Sequence, residues 1–402
     1  MVIDILSGFK GITPFKGITL DDGWDQINRS FMFVLCVLMG TVVTVRQYAG
    51  GIISCDGFTK YSGSFSEDYC WTQGLYTIKE AYDLLTMNVP YPGVIPEDMP
   101  TCIERELING GRVSCPDPET VKPPTRVYHL WYQWVPFYFW LAAAAFFFPY
   151  LIYKHFGVGD LKPLIQMLHN PIVDEGDQNC MAEKASMWLF YKLNVFMNEN
   201  TIFAILTEKH RLFFIVMLVK VLYLIISILA LYLTDEMFHI GSFVSYGSEW
   251  ATSLPEGDNE TTLVKDKLFP KMVACEIKRW GPTGLEEEQG MCVLAPNVIN
   301  QYLFLILWFA IIFCIACNCL SVLFALTKLV FVLGSYKRLL ASAFLKDELH
   351  YKHMFFNIGT SGRVLLQIVA TNVSPRVFES IMANLATKLI AERLKGNGKG
   401  SV

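Results

Sequence analysis

Charged residues are scarce in this chain of 402 residues: only 17% of positions are Asp, Glu, Lys or Arg, against about 25% in ordinary soluble domains. The formal net charge of -4 provides no basic excess of the kind that attracts nucleic acid. The sequence also contains no HExxH, GxSxG, Walker or dinucleotide-binding motif. These absences exclude a coiled coil and a nucleic-acid binder, and we expect no catalysis, no cofactor and no metal ion.

Hydrophobic residues, by contrast, make up 53% of the chain, which excludes a disordered protein. They are concentrated in four blocks, at 31–45, 135–153, 212–233 and 302–326. At 1.5 Å per residue, the last three are long enough to cross a hydrocarbon layer of about 30 Å. The pattern predicts an all-α membrane protein with four transmembrane helices.

The first block is short, and a cleaved signal peptide is the alternative interpretation. The residues before it include four acids, Asp4, Asp21, Asp22 and Asp25, and form a stretch too long for a positive leader region. Arg29 and Arg46 flank the block and can extend its effective length by reaching toward the membrane surfaces. We therefore interpret the block as the first span.

Charge distribution predicts the orientation. Loops 46–134 and 234–301 hold twelve Lys or Arg residues, whereas segments 1–30, 154–211 and 334–402 hold nineteen. Because basic residues remain preferentially on the cytoplasmic side, both termini and the middle loop are predicted to be cytoplasmic. The predicted domains are the N-terminal segment (1–30), two extracellular loops (46–134 and 234–301), the cytoplasmic loop (154–211) and a helical C-terminal region (327–402).

Six of the 11 cysteines fall in the two predicted extracellular loops: Cys55, Cys70, Cys102, Cys115, Cys275 and Cys292. An even number in an oxidising compartment indicates disulfides; unpaired thiols in a reducing compartment are the alternative. Six cysteines allow fifteen pairings, so the residues alone leave the connectivity open. Asn259-Glu260-Thr261 is in addition a candidate glycosylation site.

The second span is preceded by Trp131 and begins with the stretch Tyr132-Gln133-Trp134-Val135-Pro136. This stretch resembles the signature YYQWV of the innexins, the invertebrate gap-junction family, with Trp131 in place of the first Tyr of the signature. Further similar blocks run from Phe269 to Asn297 and from Gly359 to Leu366. The family usually has two cysteines in each outer loop, so Cys102 and Cys115 are additions to its pattern.

The resemblance implies a channel subunit that forms a homo-oligomeric ring, with eight copies favoured and seven or six as alternatives. Such a ring acts alone as a hemichannel, or docks with the same or another innexin ring on the adjacent cell. It passes ions and small molecules passively through the plasma membrane at a gap junction. The implied disulfides are nested, Cys55 with Cys292 and Cys70 with Cys275. A four-span adhesion or scaffold protein without conduction is the alternative function.

A pore needs small or polar groups on a helix face. The first span offers Gly40, Thr41 and Thr44, continued by Arg46 and Gln47 at its outer end. Thr41 and Thr44 are three residues apart and share a face. Packing of helices through small residues is the alternative to lining a pore.

The N-terminal segment contains a short amphipathic pattern around Asp4, which lies either on the membrane surface or in the cytoplasmic pore mouth. The family resemblance favours the mouth, where Asp4 is expected to favour cations. Inside the third span, Lys220 is costly to place in lipid and is expected to face protein or water.

Overall fold

The computed structural model describes residues 22–49, 51–79, 94, 105–106, 112–113, 125–157, 159, 161–168, 175–197, 202–238, 241–254, 265–281, 284–343 and 349–397. The helices are α1 (Gly23–Ala49), α2 (Gly63–Gln73), α3 (Trp131–Gly157), α4 (Leu161–Leu168), α5 (Glu175–Met197), α6 (Ile202–Met237), α7 (Phe243–Ser253), α8 (Asn297–Val330), α9 (Val332–Ala343), α10 (Leu349–Asn357), α11 (Gly359–Asn372) and α12 (Pro375–Asn397). The strands are β1 (Ser54–Asp56), β2 (Leu75–Ile78), β3 (Arg105–Glu106), β4 (Arg112–Val113), β5 (Arg126–His129), β6 (Met272–Gly281) and β7 (Gly284–Val293).

Four of these helices are long and apolar enough to cross a membrane: α1, α3, α6 from His210, and α8 to Lys328. Each contains one of the four predicted apolar blocks and extends beyond it at both ends. The short first block lies in a helix of 27 residues that passes through a π-helical turn at Ile27–Met32, about 40 Å at the usual rise. The predicted four-span, mainly helical fold is therefore confirmed, while the limits of the hydrocarbon layer along each helix stay a prediction.

The chain divides into two compact units. The helical unit comprises Met1–Phe33, Ala145–Ile226 and Cys314–Val402, and the sheet unit comprises Val34–Ala144 and Ser227–Phe313. The division passes through the long helices, so each unit holds one end of every span.

The core of the helical unit includes α5, α11 and α12. On α12, Val377, Ile381 and Leu385 are buried at helical spacing, together with Leu366 of α11 and Leu189 of α5. The helix begins at Pro375, directly after Ser374, whose carbonyl accepts a hydrogen bond from the Phe378 amide at 2.9 Å. Proline suits this first helical position because its missing N–H has no intrahelical acceptor there.

The sheet unit contains a five-stranded antiparallel sheet in the order β1-β7-β6-β2-β5. Sequence analysis did not predict this sheet. Val273, Cys275 and Ile277 alternate inward along β6, the pattern of a half-buried strand. The β6–β7 hairpin runs from the Met272–Val293 pair to the Gly281–Gly284 pair. Gly284 has φ +130, a conformation that glycine adopts without a steric penalty.

Candidate channel and docking surfaces

Two disulfides tie the sheet unit together. Cys55 of β1 is bonded to Cys292, its direct cross-strand partner on β7, and Cys70 of α2 is bonded to Cys275 on β6. Each bridge links the first predicted outer loop to the second, across 237 and 205 residues of sequence. This is the nested pairing that the family resemblance implies, and it holds residues around α2 against the β6–β7 hairpin.

The sulfur atoms of Cys55, Cys70 and Cys292 lie within 4.8 Å of one another, a spacing that a metal site also shows. All three sulfurs are in disulfide bonds. A disulfide sulfur is not a thiolate, which is the form of cysteine that binds metals. The cluster is therefore a covalent link between loops.

The family motif anchors α2 to the start of α3. The Tyr132 hydroxyl and the Gln133 side-chain amide both donate to the carbonyl oxygen of Trp71, at 3.1 and 2.6 Å. The Tyr132 ring lies 4.4 Å from the Trp71 ring. Val135 and Pro136 are buried in the second turn of α3, whereas Trp134 is exposed. The motif thus positions the helix that carries Cys70.

Trp131, which departs from the family motif, is part of an aromatic core in the sheet unit. Its ring lies 4.9 Å from Phe238 and 5.6 Å from Phe269, in edge-to-face contacts. Phe304 of α8 completes the cluster, 5.3 Å from Phe269. Edge-to-face aromatic pairs add to the stabilisation from burial. Trp131 therefore retains the role of a buried aromatic residue.

The tip of the β6–β7 hairpin is apolar and exposed. Trp280 is 81% exposed, and its cross-strand partner Leu285 is 50% exposed. Two neighbouring large apolar side chains that are exposed make this end of the hairpin a candidate interaction surface. Sequence analysis missed these residues, although the Gly281-Pro282-Thr283-Gly284 stretch is a readable turn signal between two strands.

Ion pairs stiffen the hairpin below its tip. Lys278 of β6 lies 2.9 Å from Glu276 and 3.0 Å from Glu287, and Glu276 also pairs with Arg126. Burial alone would raise the pKa of Glu276, but the hydrogen bonds from Lys278 and Arg126 outweigh it and hold the pKa below its ordinary value. The carboxylate is therefore ionised and paired at neutral pH.

A second set of contacts ties the hairpin to the segment after β1. The Thr59 backbone amide and hydroxyl both donate to the Glu288 carboxylate at 2.8 Å, which lowers the pKa of Glu288. Lys60 lies 3.7 Å from Glu286. Together with the disulfides, these contacts present the tip on a rigid support.

The predicted pore residues of α1 divide between two faces. Gly40 and Gln47 are buried within the protomer. A Cβ atom on Gly40 would lie 3.2 Å from the Phe139 Cβ, so this glycine permits close packing of α1 on α3. Thr41, Thr44 and Arg46 keep exposed surface on the isolated subunit, and the assignment of these residues to a pore stays a prediction.

Of these three residues, Thr41 is exposed and the other two are half-buried. The Thr41 hydroxyl donates to the Val37 carbonyl at 2.8 Å, which leaves its lone pairs outward as acceptors. Thr44 donates to the Gly40 carbonyl at 2.6 Å and accepts from the Trp140 indole at 3.4 Å. Thr41 is thus the exposed hydroxyl on this face of the isolated subunit.

Polar side chains also pair inside the helical unit. Lys220 is only 2% exposed and donates to both carboxylate oxygens of Asp25, at 2.9 and 3.1 Å, and to the Ser321 hydroxyl at 2.8 Å. Asn28 and Asn318 exchange amide hydrogen bonds at 2.7 and 3.1 Å. Lys220 therefore faces protein, as its position in a span predicts.

Four predicted site residues lie outside the described residues: Asp4, Cys102, Cys115 and Asn259. Their assignments to the pore mouth, to additional disulfides and to glycosylation stay predictions.

Comparisons with known proteins agree with the motifs. The family model described as Innexin matches residues 21–389. Innexin inx2 of Schistocerca americana is 23% identical over 96% of this chain and 98% of its own length. Innexin inx2 of Drosophila melanogaster is 24% identical over 96% of each chain, and innexin inx4 of the same fly is 25% identical over 92% of each. The matches thus cover all four candidate spans and the disulfide-tied sheet.

Proposed function

This chain belongs to the innexin family, and from that premise we propose that its subunits form a ring around a central pore and dock with a ring on the adjacent cell. Innexins are gap-junction proteins, and the four apolar helices make this chain a multi-pass membrane protein. The proposed transport is passive passage of ions and small molecules. The observation that carries the proposal is a disulfide-tied sheet, with an exposed apolar hairpin tip, on four membrane-spanning helices.

Exposure of the spans supports assembly. Within the apolar stretch of 18 residues of each candidate span, only 28% to 44% is buried in the protomer. The remaining helix surface is available to lipid, to neighbouring subunits and to water in a shared pore. Four helices of one chain are too few to enclose a wide pore, so a conducting pore requires several subunits. By family resemblance we propose eight, with both termini in the cytoplasm.

Thr41 is the proposed centre of the pore-lining face of α1. Its outward lone pairs offer hydration to permeating cations, and Asp4 at the proposed cytoplasmic mouth favours the same charge. Arg46 lies at the outer end of α1, and one Arg46 from each subunit would form a ring of positive charge there. This ring opposes the passage of cations. The balance of these rings sets the preference between cations and anions.

Docking is proposed to use the β6–β7 hairpin. Rigid loops lose less ordering entropy on association than flexible loops do, and the two disulfides with the Glu276 and Glu288 contacts supply that rigidity. Trp280 and Leu285 supply the apolar surface to be buried. The partner is the same surface of another innexin ring, either the same chain or a relative.

Thiol accessibility tests the pore assignment. We expect Thr41→Cys hemichannels to lose current when a positively charged methanethiosulfonate reagent is applied, since a reagent in the pore reacts with an exposed thiol. Val43→Cys is the matched control, because Val43 is only 3% exposed and faces the protomer interior. Wild-type channels, with their native cysteines, give the background. Full current in treated Thr41→Cys channels would contradict the proposed pore face.

A further inference from the structure

The helical unit contains a cavity of about 130 Å³ that the channel proposal does not use. One wall is a face of α11 that includes Arg363, Gln367 and Ile368. Other lining residues come from α6 and from the ends of α1 and α8. This volume admits several water molecules, or one polyatomic anion, because a single water needs only about 10–15 Å³ by the same measure.

The charges of the described residues that line this cavity do not balance. Among them, the carboxylates are Asp22 and Asp25, and the cations are Lys220, Lys328 and Arg363. Lys220 pairs with Asp25 at 2.9 Å and also lies 3.3 Å from Asp22, which pairs with Lys328 at 3.6 Å. Two carboxylates are thus matched by two ammonium groups, and the guanidinium is a third positive charge.

Arg363 makes few polar contacts for a half-buried cation. Its Nε donates to the Phe355 carbonyl at 3.3 Å, and its guanidinium lies 5.7 Å from the centroid of the Phe355 ring. Within the described part of the chain, no carboxylate lies within ion-pair distance of it. Burial lowers the pKa of this guanidinium, so the site itself disfavours the charge. A bound anion would restore the balance.

Gln367 lies four residues after Arg363 on the same face of α11, so the two side chains are neighbours. Its side-chain amide is half-buried and has no hydrogen-bond partner among the described residues. A guanidinium fork beside an amide donor matches an oxyanion that accepts several hydrogen bonds. Phe213, Val216 and Ile368 make the adjoining surface apolar.

We propose that this cavity binds a phosphate group through Arg363 and Gln367. The phosphate group is either the head of a membrane phospholipid, whose chains would lie on the apolar wall, or a soluble phosphate. The inference is independent of the proposed function, since the site makes no use of the pore or of the docking hairpin.

Binding to the purified full-length protein in detergent tests the proposal. The probes for calorimetric titration are dioctanoyl phosphatidic acid, dioctanoyl glycerol with the same chains but no phosphate, and inorganic phosphate. We expect phosphatidic acid to bind and the glycerol to show no binding. Inorganic phosphate that binds and displaces the lipid would identify a soluble source, and binding of the lipid alone would identify the membrane.

Variants then locate the site. Arg363→Gln is expected to weaken binding roughly 10-fold or more, the usual effect of losing a hydrogen-bonded charge pair. Arg376→Gln is the matched control, since Arg376 is exposed on α12 and outside the cavity. Gln367→Glu, which is nearly isosteric, places a negative charge beside the anion and should also weaken binding.

If Arg363→Gln does not fold, the affinity of Gln367→Glu for the phosphate probes tests the proposal. Wild-type affinity in a folded Arg363→Gln or Gln367→Glu protein would overturn the proposal. So would the absence of binding of both phosphatidic acid and millimolar inorganic phosphate to the wild-type protein.

Discussion

Removal of the disulfides tests how the sheet unit is held together. Cys70–Cys275 joins residues 205 apart, and Cys55–Cys292 encloses it with a separation of 237. Because the bridges are nested, either one closes a loop of only about 30 residues when the other is already present. Removing one bridge alone should therefore lower the free energy of unfolding by about 4 kcal/mol through chain entropy. Removing both bridges opens the long loop as well, and the total loss should be about 9 kcal/mol. Loss of both bridges should therefore cost more than the sum of the two separate losses.

Thermal unfolding in detergent, followed by tryptophan fluorescence, measures these effects. For a unit of this size, about 4 kcal/mol corresponds to a decrease in Tm of roughly 8 to 16 °C. We expect that decrease for the Cys70→Ser, Cys275→Ser protein and again for the Cys55→Ser, Cys292→Ser protein. Cys180→Ser is the control, because Cys180 is an exposed free thiol on α5. A paired variant with the Tm of the wild type would refute the claim that these bridges hold the unit together.

Three further perturbations follow from single contacts. Lys220→Met removes the cation that pairs with Asp25 in a buried site, and should lower the free energy of unfolding by about 3–5 kcal/mol in the same assay. Gly247→Ala places a Cβ 2.1 Å from the Trp308 ring, and this overpacking should cost about 1–3 kcal/mol. Glu276 has a lowered pKa in the folded state. Its ionised form therefore stabilises the fold above its ordinary pKa of 4.5, and this stabilisation is lost as the pH falls below that value. Glu276→Gln should accordingly make the decline of Tm in acid less steep.

Matched variants separate these effects from general damage. Lys337→Met removes an exposed lysine of α9, and Gly63→Ala adds a methyl group where no atom lies within 4 Å. Both should leave Tm within about 2 °C of wild type. An unchanged Tm in Lys220→Met would contradict the buried pair of Lys220 with Asp25, and an unchanged Tm in Gly247→Ala would contradict the close packing of Gly247 on Trp308. An acid decline of Tm in Glu276→Gln as steep as in wild type would contradict the stabilising role of the Glu276 carboxylate.

The spans could be predicted from sequence because a helix that crosses a membrane needs an uninterrupted run of apolar residues, which is a local pattern. Block 302–326 is readable by itself, since lipid demands about 20 apolar residues in succession. The residues that a span contacts cannot be predicted from a local pattern of this kind. That Lys220 pairs with Asp25, 195 residues earlier, depends on helix packing, so the sequence indicates the need for a partner without indicating which one.

The sheet was missed for a related reason. Strand β1 is only three residues long and pairs with β7 near residue 292, so no local pattern indicates it. The alternation of Val273, Cys275 and Ile277 was a readable signal for β6. Gly40 shows a different limit of the sequence: a small residue in a span suits a pore or close packing equally, and the nearby Phe139 side chain favours close packing.

The most direct measurement of the central claim is electrical coupling between paired cells that both express this chain alone, with Trp280→Ala as the comparison. We predict coupling for wild type, its loss or strong reduction with Trp280→Ala, and hemichannel currents in single cells for both. The reason is that Trp280 is an exposed residue of the β6–β7 hairpin, whereas the proposed pore face belongs to α1. Cells that adhere through this protein without any conductance, paired or single, would contradict the account and favour an adhesion protein.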